Sequence, residues 1–355
     1  MDKKLRVAII GTGNISNYHV KGYKALPHLC DVVACCDIDL DKAKAYASRN
    51  GIPAVYADYN EMLEKESIDA VSVCTWNAAH KGAAVAALNA GAHVIVEKPM
   101  AMNAKEAREM VDAAKKNNKI IMTAFVRRFG NDADFLTDFI KGGTFGDIYY
   151  TKATYLRRNG CPGGWFGDKA YSGGGPLIDL GVHVMDLVRY LCGSPKPVSA
   201  FGVTYNNLGM DRAGSGEKAW RANPNGMFKY TVEDFASALI RFDNGMTMQL
   251  ETSFNLNVKK DCGVISLFGT KAGAVADPQL EIYSDMNGHM INIGMTESTA
   301  LSFDGLFERE IAHFVDCVVN GTECRVKPED GVVLMKMIDA IYESAATGKE
   351  VAIDC

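Results

Sequence analysis

Leu5-Arg6-Val7-Ala8-Ile9-Ile10-Gly11-Thr12-Gly13-Asn14-Ile15-Ser16 is the stretch that decides the fold. A short apolar run stops at a glycine, and a helical pattern begins within a few residues. Strand, tight turn and helix in immediate succession set backbone amides at the positive end of a helix, where a pyrophosphate is held. Ser16 replaces the third glycine of the usual fingerprint and is small enough to let the helix pack closely on the strand. The expected cofactor contacts here are Gly11, Thr12, Gly13, Asn14 and Ile15.

Working outward, Val32 to Cys36, Ala70 to Cys74, His93 to Val96 and Ile120 to Ala124 repeat the short apolar run. Between them lie Asp41 to Arg49, Ala78 to Ala90 and Lys105 to Asn117, rich in the helix formers Ala, Lys and Glu. Strands alternating with helices imply a parallel, doubly wound α/β sheet, a Rossmann domain over residues 1–124. Asp37 ends the second strand about twenty residues beyond the glycine loop, where an acid accepts from the adenosine ribose. A carboxylate there repels a 2′-phosphate, so NAD is expected rather than NADP.

After Ala124 the rhythm changes, and residues 125–355 read as an α+β domain. Val232 to Phe242 and Met246 to Phe254 flank Asp243-Asn244-Gly245, a hairpin turn signal. Met246, Met248, Leu250 and Phe254 fall on one face, with Thr247, Gln249, Glu251 and Ser253 on the other, so the sheet is antiparallel and buried on one side. Further strands are expected at Val264 to Phe268 and Gln279 to Tyr283, and helices near Leu306 to Val319 and Gly331 to Ala345. Asn206 to Asn225 reads as a long loop.

The chain of 355 residues is long enough for two cores, and its composition, 48% hydrophobic and 23% charged, is that of a globular protein. A net charge of -5 leaves no basic stripe for nucleic acid. No apolar run is long enough for a signal peptide or membrane span. The ten cysteines are scattered without zinc-type or redox spacing, which suits reduced thiols in the cytoplasm.

Gly173-Gly174-Gly175-Pro176 introduces an expected helix from Leu177 to Leu191. At 100° per residue, Asp179, His183, Asp186 and Tyr190 lie within roughly 60° of one another, opposite Leu177, Leu180, Val184, Leu187, Val188 and Leu191. An acid and a histidine one turn apart are usually a plain surface or core pair. Glu97-Lys98-Pro99, just past the carboxyl end of a parallel strand, points to chemistry, because open α/β sheets bind ligands there. A metal is not expected at Asp179 and His183, which have no third ligand in a known pattern.

Together these motifs resemble the Gfo/Idh/MocA family of nicotinamide-dependent oxidoreductases. The resemblance rests on Gly11-Thr12-Gly13-Asn14-Ile15, Glu97-Lys98-Pro99, and Gly173-Gly174-Gly175 followed by Asp179, Gly181, His183 and Asp186. Arg127-Arg128-Phe129, Val232-Glu233-Asp234 and Ile240-Arg241-Phe242 extend it over nearly the whole chain. It implies catalytic roles for Lys98, Asp179 and His183, and hydride transfer between NAD and a ring hydroxyl carbon of a sugar, glycoside or inositol-like polyol. It also implies a second domain built on an open, predominantly antiparallel sheet, and a homo-oligomer, dimer or tetramer, joined through the open face of that sheet. Cys74-Thr75-Trp76-Asn77-Ala78-Ala79-His80 departs from the family at Trp76, where proline usually follows threonine, while Asn77 and His80 match. Thr75, Trp76, Asn77, His80, Glu97 and Lys98 complete the expected cofactor contacts.

His183 would take the hydroxyl proton, with Asp179 stabilising the resulting cation and Lys98 polarising the oxygen or sharing the proton, so that either His183 or Lys98 can be the base. Arg127, Arg157, Arg158 and Trp165 are the further candidates for substrate contact, donors and an aromatic wall for a polyhydroxylated ring. Two other functions share the motifs: glycoside cleavage by transient oxidation and elimination, and NAD sensing without chemistry.

Overall fold

A computed structural model describes residues 4–209, 229–276, 279–294 and 305–355. The chain divides into two compact units, Met1–Val126 with Phe303–Val332 and Arg127–Ser302 with Val333–Cys355. A single cut after Ala124 would assign residues 303–332 to the second domain; the structure places them in the first. The reason is the helix Leu306–Asn320, whose Phe307 stacks on Tyr18 with ring centroids 4.6 Å apart and whose Glu308 pairs with Lys21 at 2.7 Å.

In the first unit β1 (Leu5–Ile10), β2 (Cys30–Cys36), β3 (Ala54–Tyr56), β4 (Ala70–Val73), β5 (His93–Val96) and β6 (Ile121–Thr123) form one sheet in the order β3-β2-β1-β4-β5-β6. Every neighbouring pair is parallel. The connections carry α1 (Asn14–Lys24), α2 (Leu40–Asn50), α3 (Tyr59–Lys65), α4 (Asn77–Asn89) and α5 (Ala104–Lys116). β3 and α3 are not evident from the sequence, because three residues and seven residues are too few to show a clear period. The strand order reverses direction between β1 and β4, a switch point at whose carboxyl ends open α/β sheets bind their ligands.

The second unit holds α6 (Asn131–Lys141), β7 (Ile148–Leu156), α7 (Lys169–Ser172), α8 (Val182–Leu191) and β8 (Pro197–Tyr205). Strands β9 (Phe235–Phe242), β10 (Thr247–Ser253), β11 (Cys262–Gly269), β12 (Ala272–Val275), β13 (Glu281–Met286), β14 (His289–Gly294) and β15 (Val351–Ala352) complete it. The sheet order is β14-β13-β12-β11-β7-β10-β9-β8-β15, antiparallel except for the β7–β10 pair. The hairpin at Asp243-Asn244-Gly245 forms, with Gly245 at φ 84°. Met246, Met248, Leu250 and Phe254 are buried as their alternation requires, and Ser253 joins them because its hydroxyl donates to the Arg157 carbonyl at 2.9 Å. Most of the Asn206 to Asn225 loop lies outside the described residues. The helices now labelled α9 (Leu306–Asn320) and α10 (Pro328–Thr347) follow, and the division between the units falls within α10.

Candidate active site

The glycine turn after β1 is built against its neighbours. Gly11 sits at φ 91°, and a Cβ there would lie 2.6 Å from the Cys74 carbonyl oxygen, so only glycine fits. Gly13 caps α1 from an extended conformation, with no side chain bonded to the helix's first amides. A Cβ on Gly13 would meet nothing within 4 Å. Asn14 and Ile15 open the helix, and its first turn contains no acid. This end therefore presents uncapped amides and a positive dipole to an anionic group.

Asp37 follows β2 and is tied to the turn. Its Oδ2 accepts from the Thr12 amide and hydroxyl, both at 2.8 Å, and from Lys42 Nζ at 2.9 Å. Oδ1 accepts from the Asp39 amide at 3.1 Å and keeps capacity for a ribose hydroxyl. Burial alone would raise this carboxyl's pKa, but the bonds from Lys42 and Thr12 outweigh it and hold the group below its usual range. These residues fit an adenosine ribose and pyrophosphate.

The turns after β4 and β5 sit beside the glycine turn at the carboxyl edge. Thr75 and Trp76 are half-buried, and Trp76 is the residue before the first turn of α4, where Asn77 is buried. His80, fully buried, has Nδ1 2.8 Å from the Pro99 carbonyl and Nε2 3.1 Å from that of Thr75, which ties the two turns together. Burial lowers its pKa, and the bonds to the Pro99 and Thr75 carbonyls offset part of the fall.

Glu97 is buried, and its carboxylate turns inward. Oε1 meets His19 Nε2 at 3.0 Å, and Oε2 accepts the Lys98 amide at 3.1 Å. His19 Nδ1 in turn meets Ser72 Oγ at 3.0 Å, which the Tyr23 hydroxyl also reaches at 2.8 Å. Sequence reasoning missed His19, Ser72 and Tyr23, which lie 25 to 78 positions from Glu97 in the chain. The network fixes the backbone from which the half-buried Lys98 projects, and the Lys98–Pro99 peptide is cis.

In the second unit, Leu177–Gly181 forms a π-helical turn that leads directly into α8. The expected continuous α-helix is thus widened where Asp179 sits, a distortion common at functional sites. Asp179 is buried and His183 half-buried, both at the amino end of this element. The stripe of four polar groups does not hold as one exposed face. Asp186 is fully buried in a two-pronged pair with Arg128, at 2.9 Å from Nε and 2.6 Å from Nη2, and the guanidinium lies 4.7 Å over the Tyr190 ring. The carboxyl half of the stripe anchors the helix, and the amino half carries the candidate chemistry.

Glu233 holds that amino half in place. Its buried carboxylate accepts the amides of Gly175 at 3.0 Å and Leu177 at 3.1 Å, and the Tyr342 hydroxyl at 2.9 Å. A Cβ on Gly175 would fall 2.1 Å from the Glu233 carbonyl oxygen, so the glycine run is required by close approach. Burial raises the Glu233 pKa, and the bonds from Gly175, Tyr342 and Leu177 offset part of the rise.

The remaining candidates are more dispersed. Arg127 is buried with Asp132 at 3.7 Å, whereas Arg157 donates to the Gly160 carbonyl at 2.8 Å and lies over the Tyr155 ring. Arg158 is exposed and donates to the Lys259 carbonyl at 3.1 Å. Trp165 stacks on Phe166 at 3.9 Å, forming an aromatic pair on the approach to the glycine run.

Comparison with known proteins identifies the family. The Gfo/Idh/MocA oxidoreductase family, NAD-binding Rossmann fold, matches residues 5–125, and its C-terminal alpha/beta domain matches residues 138–353. D-glucoside 3-dehydrogenase of Escherichia coli is 36% identical over 98% of this chain and 97% of its own. Levoglucosan dehydrogenase of Pseudarthrobacter phenanthrenivorans is 28% identical over 97% of each. A solved structure of levoglucosan dehydrogenase in complex with NADH superposes with a TM-score of 0.85 over 99% of this chain and 100% of that one, at 24% identity, which speaks to the fold. Among the described residues no helix is long and apolar enough to cross a membrane. With both of its domains matched, the chain belongs to the Gfo/Idh/MocA family of NAD-dependent oxidoreductases.

Proposed function

We propose that the protein oxidises a ring CH–OH of a sugar or related polyol, with a D-glucoside as the first substrate to test. The observation that carries this reading is the Asp179–His183 pair at the amino end of a helix locked by Glu233 and Arg128. It is supported by 36% identity across 98% of the chain to a D-glucoside 3-dehydrogenase. Bound NAD supplies the hydride acceptor. The substrate C–H bond breaks with its electron pair, the carbinol becomes a ketone, and the hydroxyl proton passes to His183 Nε2. An imidazole nitrogen with a lone pair can accept that proton. Asp179 stabilises the imidazolium and Lys98 polarises the substrate oxygen. Arg157, Arg158, Trp165 and Arg127 are assigned to substrate recognition.

The test is NADH release against a panel of glucosides, levoglucosan and inositols. Stoichiometric NADH is expected with at least one of them. Glycoside cleavage without NADH build-up would instead indicate oxidation followed by elimination, and tight NAD binding with no turnover on the panel would indicate a sensor. Lys98→Met and His183→Asn should each lower kcat about a hundredfold or more while retaining NAD binding, and unchanged kinetics in both would sink the assignment.

Self-association through the second unit's sheet belongs to the same proposal. Phe201 and Tyr205 on β8 stand beside Leu239 and Phe235 on β9, on the outward face, and three of the four are exposed. An apolar row of this kind suits a second copy of the chain. Sedimentation of Leu239→Glu should show a smaller species than the unmodified protein. The ten free thiols suit a reducing compartment such as the cytoplasm.

A further inference from the structure

The cysteines look scattered in the sequence, but the fold gathers two of them around a histidine. His313 and Cys317 stand one turn apart on the same face of α9, with Nε2 and Sγ 3.4 Å apart. Gly321 ends that helix in a left-handed conformation at φ 71°, its amide bonded to the Cys317 carbonyl. The chain then turns back, and Cys324 arrives beside the pair. The three potential ligand atoms all lie within 4.8 Å of one another.

A tetrahedral zinc ion with bonds of about 2.3 Å to sulfur and about 2.0 Å to nitrogen sets its ligands roughly 3.5 to 3.8 Å apart. The His313–Cys317 separation already meets that edge. Two residues at i and i+4 on one helix face, closed by a third from the following turn, is an arrangement that suits a compact metal site. The donor set of two thiols and one imidazole selects a thiophilic ion and disfavours magnesium or calcium, which take oxygen ligands. Cys317 is buried, whereas His313 and Cys324 are half-buried, so an ion can enter from solvent and keep a water as its fourth ligand.

We propose that His313, Cys317 and Cys324 form a binding site for Zn²⁺. Binding displaces the two thiol protons to solvent and forms two Zn–S bonds and one Zn–N bond, with no change in oxidation state. The Arg325 amide donates to His313 Nε2 at 2.8 Å, a bond that the ion replaces when it takes that nitrogen. Asp316 and Arg325 are the charged neighbours of the ring, and their opposite signs leave the two thiolates to neutralise the metal. The ion would staple the end of α9 to the Gly321–Val326 turn, and α9 packs on α1, the helix that opens at the cofactor turn.

The experiment uses the full-length protein, reduced and stripped with a chelator. Titration with Zn²⁺ against a chromophoric competitor should give one tightly held ion per chain that survives gel filtration and raises the melting temperature by several degrees. Replacement by Co²⁺ should give a thiolate-to-cobalt charge-transfer band. Cys324→Ser, a half-exposed and conservative change, should weaken binding at least tenfold and remove half of that band, as should Cys317→Ser. His313→Gln should weaken Zn²⁺ binding while keeping the band. Cys262→Ser, in the other unit, should change none of these readouts, and NAD binding reports that each variant is folded. Loss of the ion on gel filtration, equal Zn²⁺ affinity in Cys324→Ser, or a cobalt spectrum without thiolate charge transfer would each overturn the proposal.

Discussion

Two glycine-rich turns introduce helices in this molecule, and they serve opposite ends. In the first unit, Gly11-Thr12-Gly13 leads into α1 with no side chain on the helix's first amides. In the second, Gly173-Gly174-Gly175 leads into the Leu177–Gly181 turn, and Glu233 takes up the Gly175 and Leu177 amides from within. An open helix end is a receptor for an anion, whereas a filled one is a fixed mount for the side chains it carries. The lesson is that a glycine run locates close backbone approach but not what approaches: the Cys74 carbonyl at Gly11 in one case, the Glu233 carbonyl at Gly175 in the other, and only the first leaves the helix amides open.

The sharpest way to break this contrast is one alanine in each turn. Gly175→Ala forces a Cβ to within 2.1 Å of the Glu233 carbonyl oxygen, so it should cost about 3 kcal/mol of stability, read as a lowered denaturant midpoint. Gly13→Ala meets no protein atom and has an ordinary φ of −75°, so its midpoint should shift by less than about 0.5 kcal/mol. Its NAD affinity should nonetheless fall about tenfold, or ~1.4 kcal/mol. Equal stability losses in the two variants would remove the distinction between receptor and mount.

How far each turn was legible follows from how far apart its partners lie in sequence. The first turn and Asp37 fall within one strand-helix-strand unit, so spacing alone revealed them. Glu233 lies 58 positions from Gly175, and Arg128 lies 58 from Asp186, so nothing local could pair them. The polar stripe misled for the same reason: Asp186 has the right phase to be exposed, but a distant arginine buries it. Likewise β3 was too short to show a period, and the meeting of Cys324 with His313 depends on where Gly321 turns the chain. Lys98, Asp179 and His183 are candidates because family motifs mark them, while the His19–Ser72–Glu97 network behind Lys98 has no motif.

A second test concerns selectivity at the open turn. Lys42 is held 2.9 Å from Asp37, so Asp37→Ser removes a repelling carboxylate and also releases an ammonium beside the ribose position. The ratio of kcat/KM for NADP to that for NAD should rise by about tenfold or more, a change of ~1.4 kcal/mol. Adding Lys42→Ala to that variant should cancel much of the gain. An unchanged ratio in the single variant would remove the ribose role of Asp37.

The smallest expected effect is also the one that separates the two carboxylates most directly, because their shifts run in opposite directions. Asp37 is held below its ordinary value of 3.8 once bonds from Lys42 and Thr12 outweigh burial. Its ionised form is favoured by folding, so the stability it contributes is present above pH 3.8 and is lost as pH falls through the folded value. Glu233 is raised above 4.5 by burial, so folding favours its protonated form. Its pH-dependent contribution is present below pH 4.5 and is lost as pH rises through the folded value. Urea midpoints of the unmodified protein, Asp37→Asn and Glu233→Gln across this range give two difference curves. The Asp37 curve should shrink towards acid and the Glu233 curve towards neutral pH. Curves of the same slope would mean that the mounted carboxylate is no more desolvated than the one facing the cofactor, and the contrast between the two turns would then rest on geometry alone.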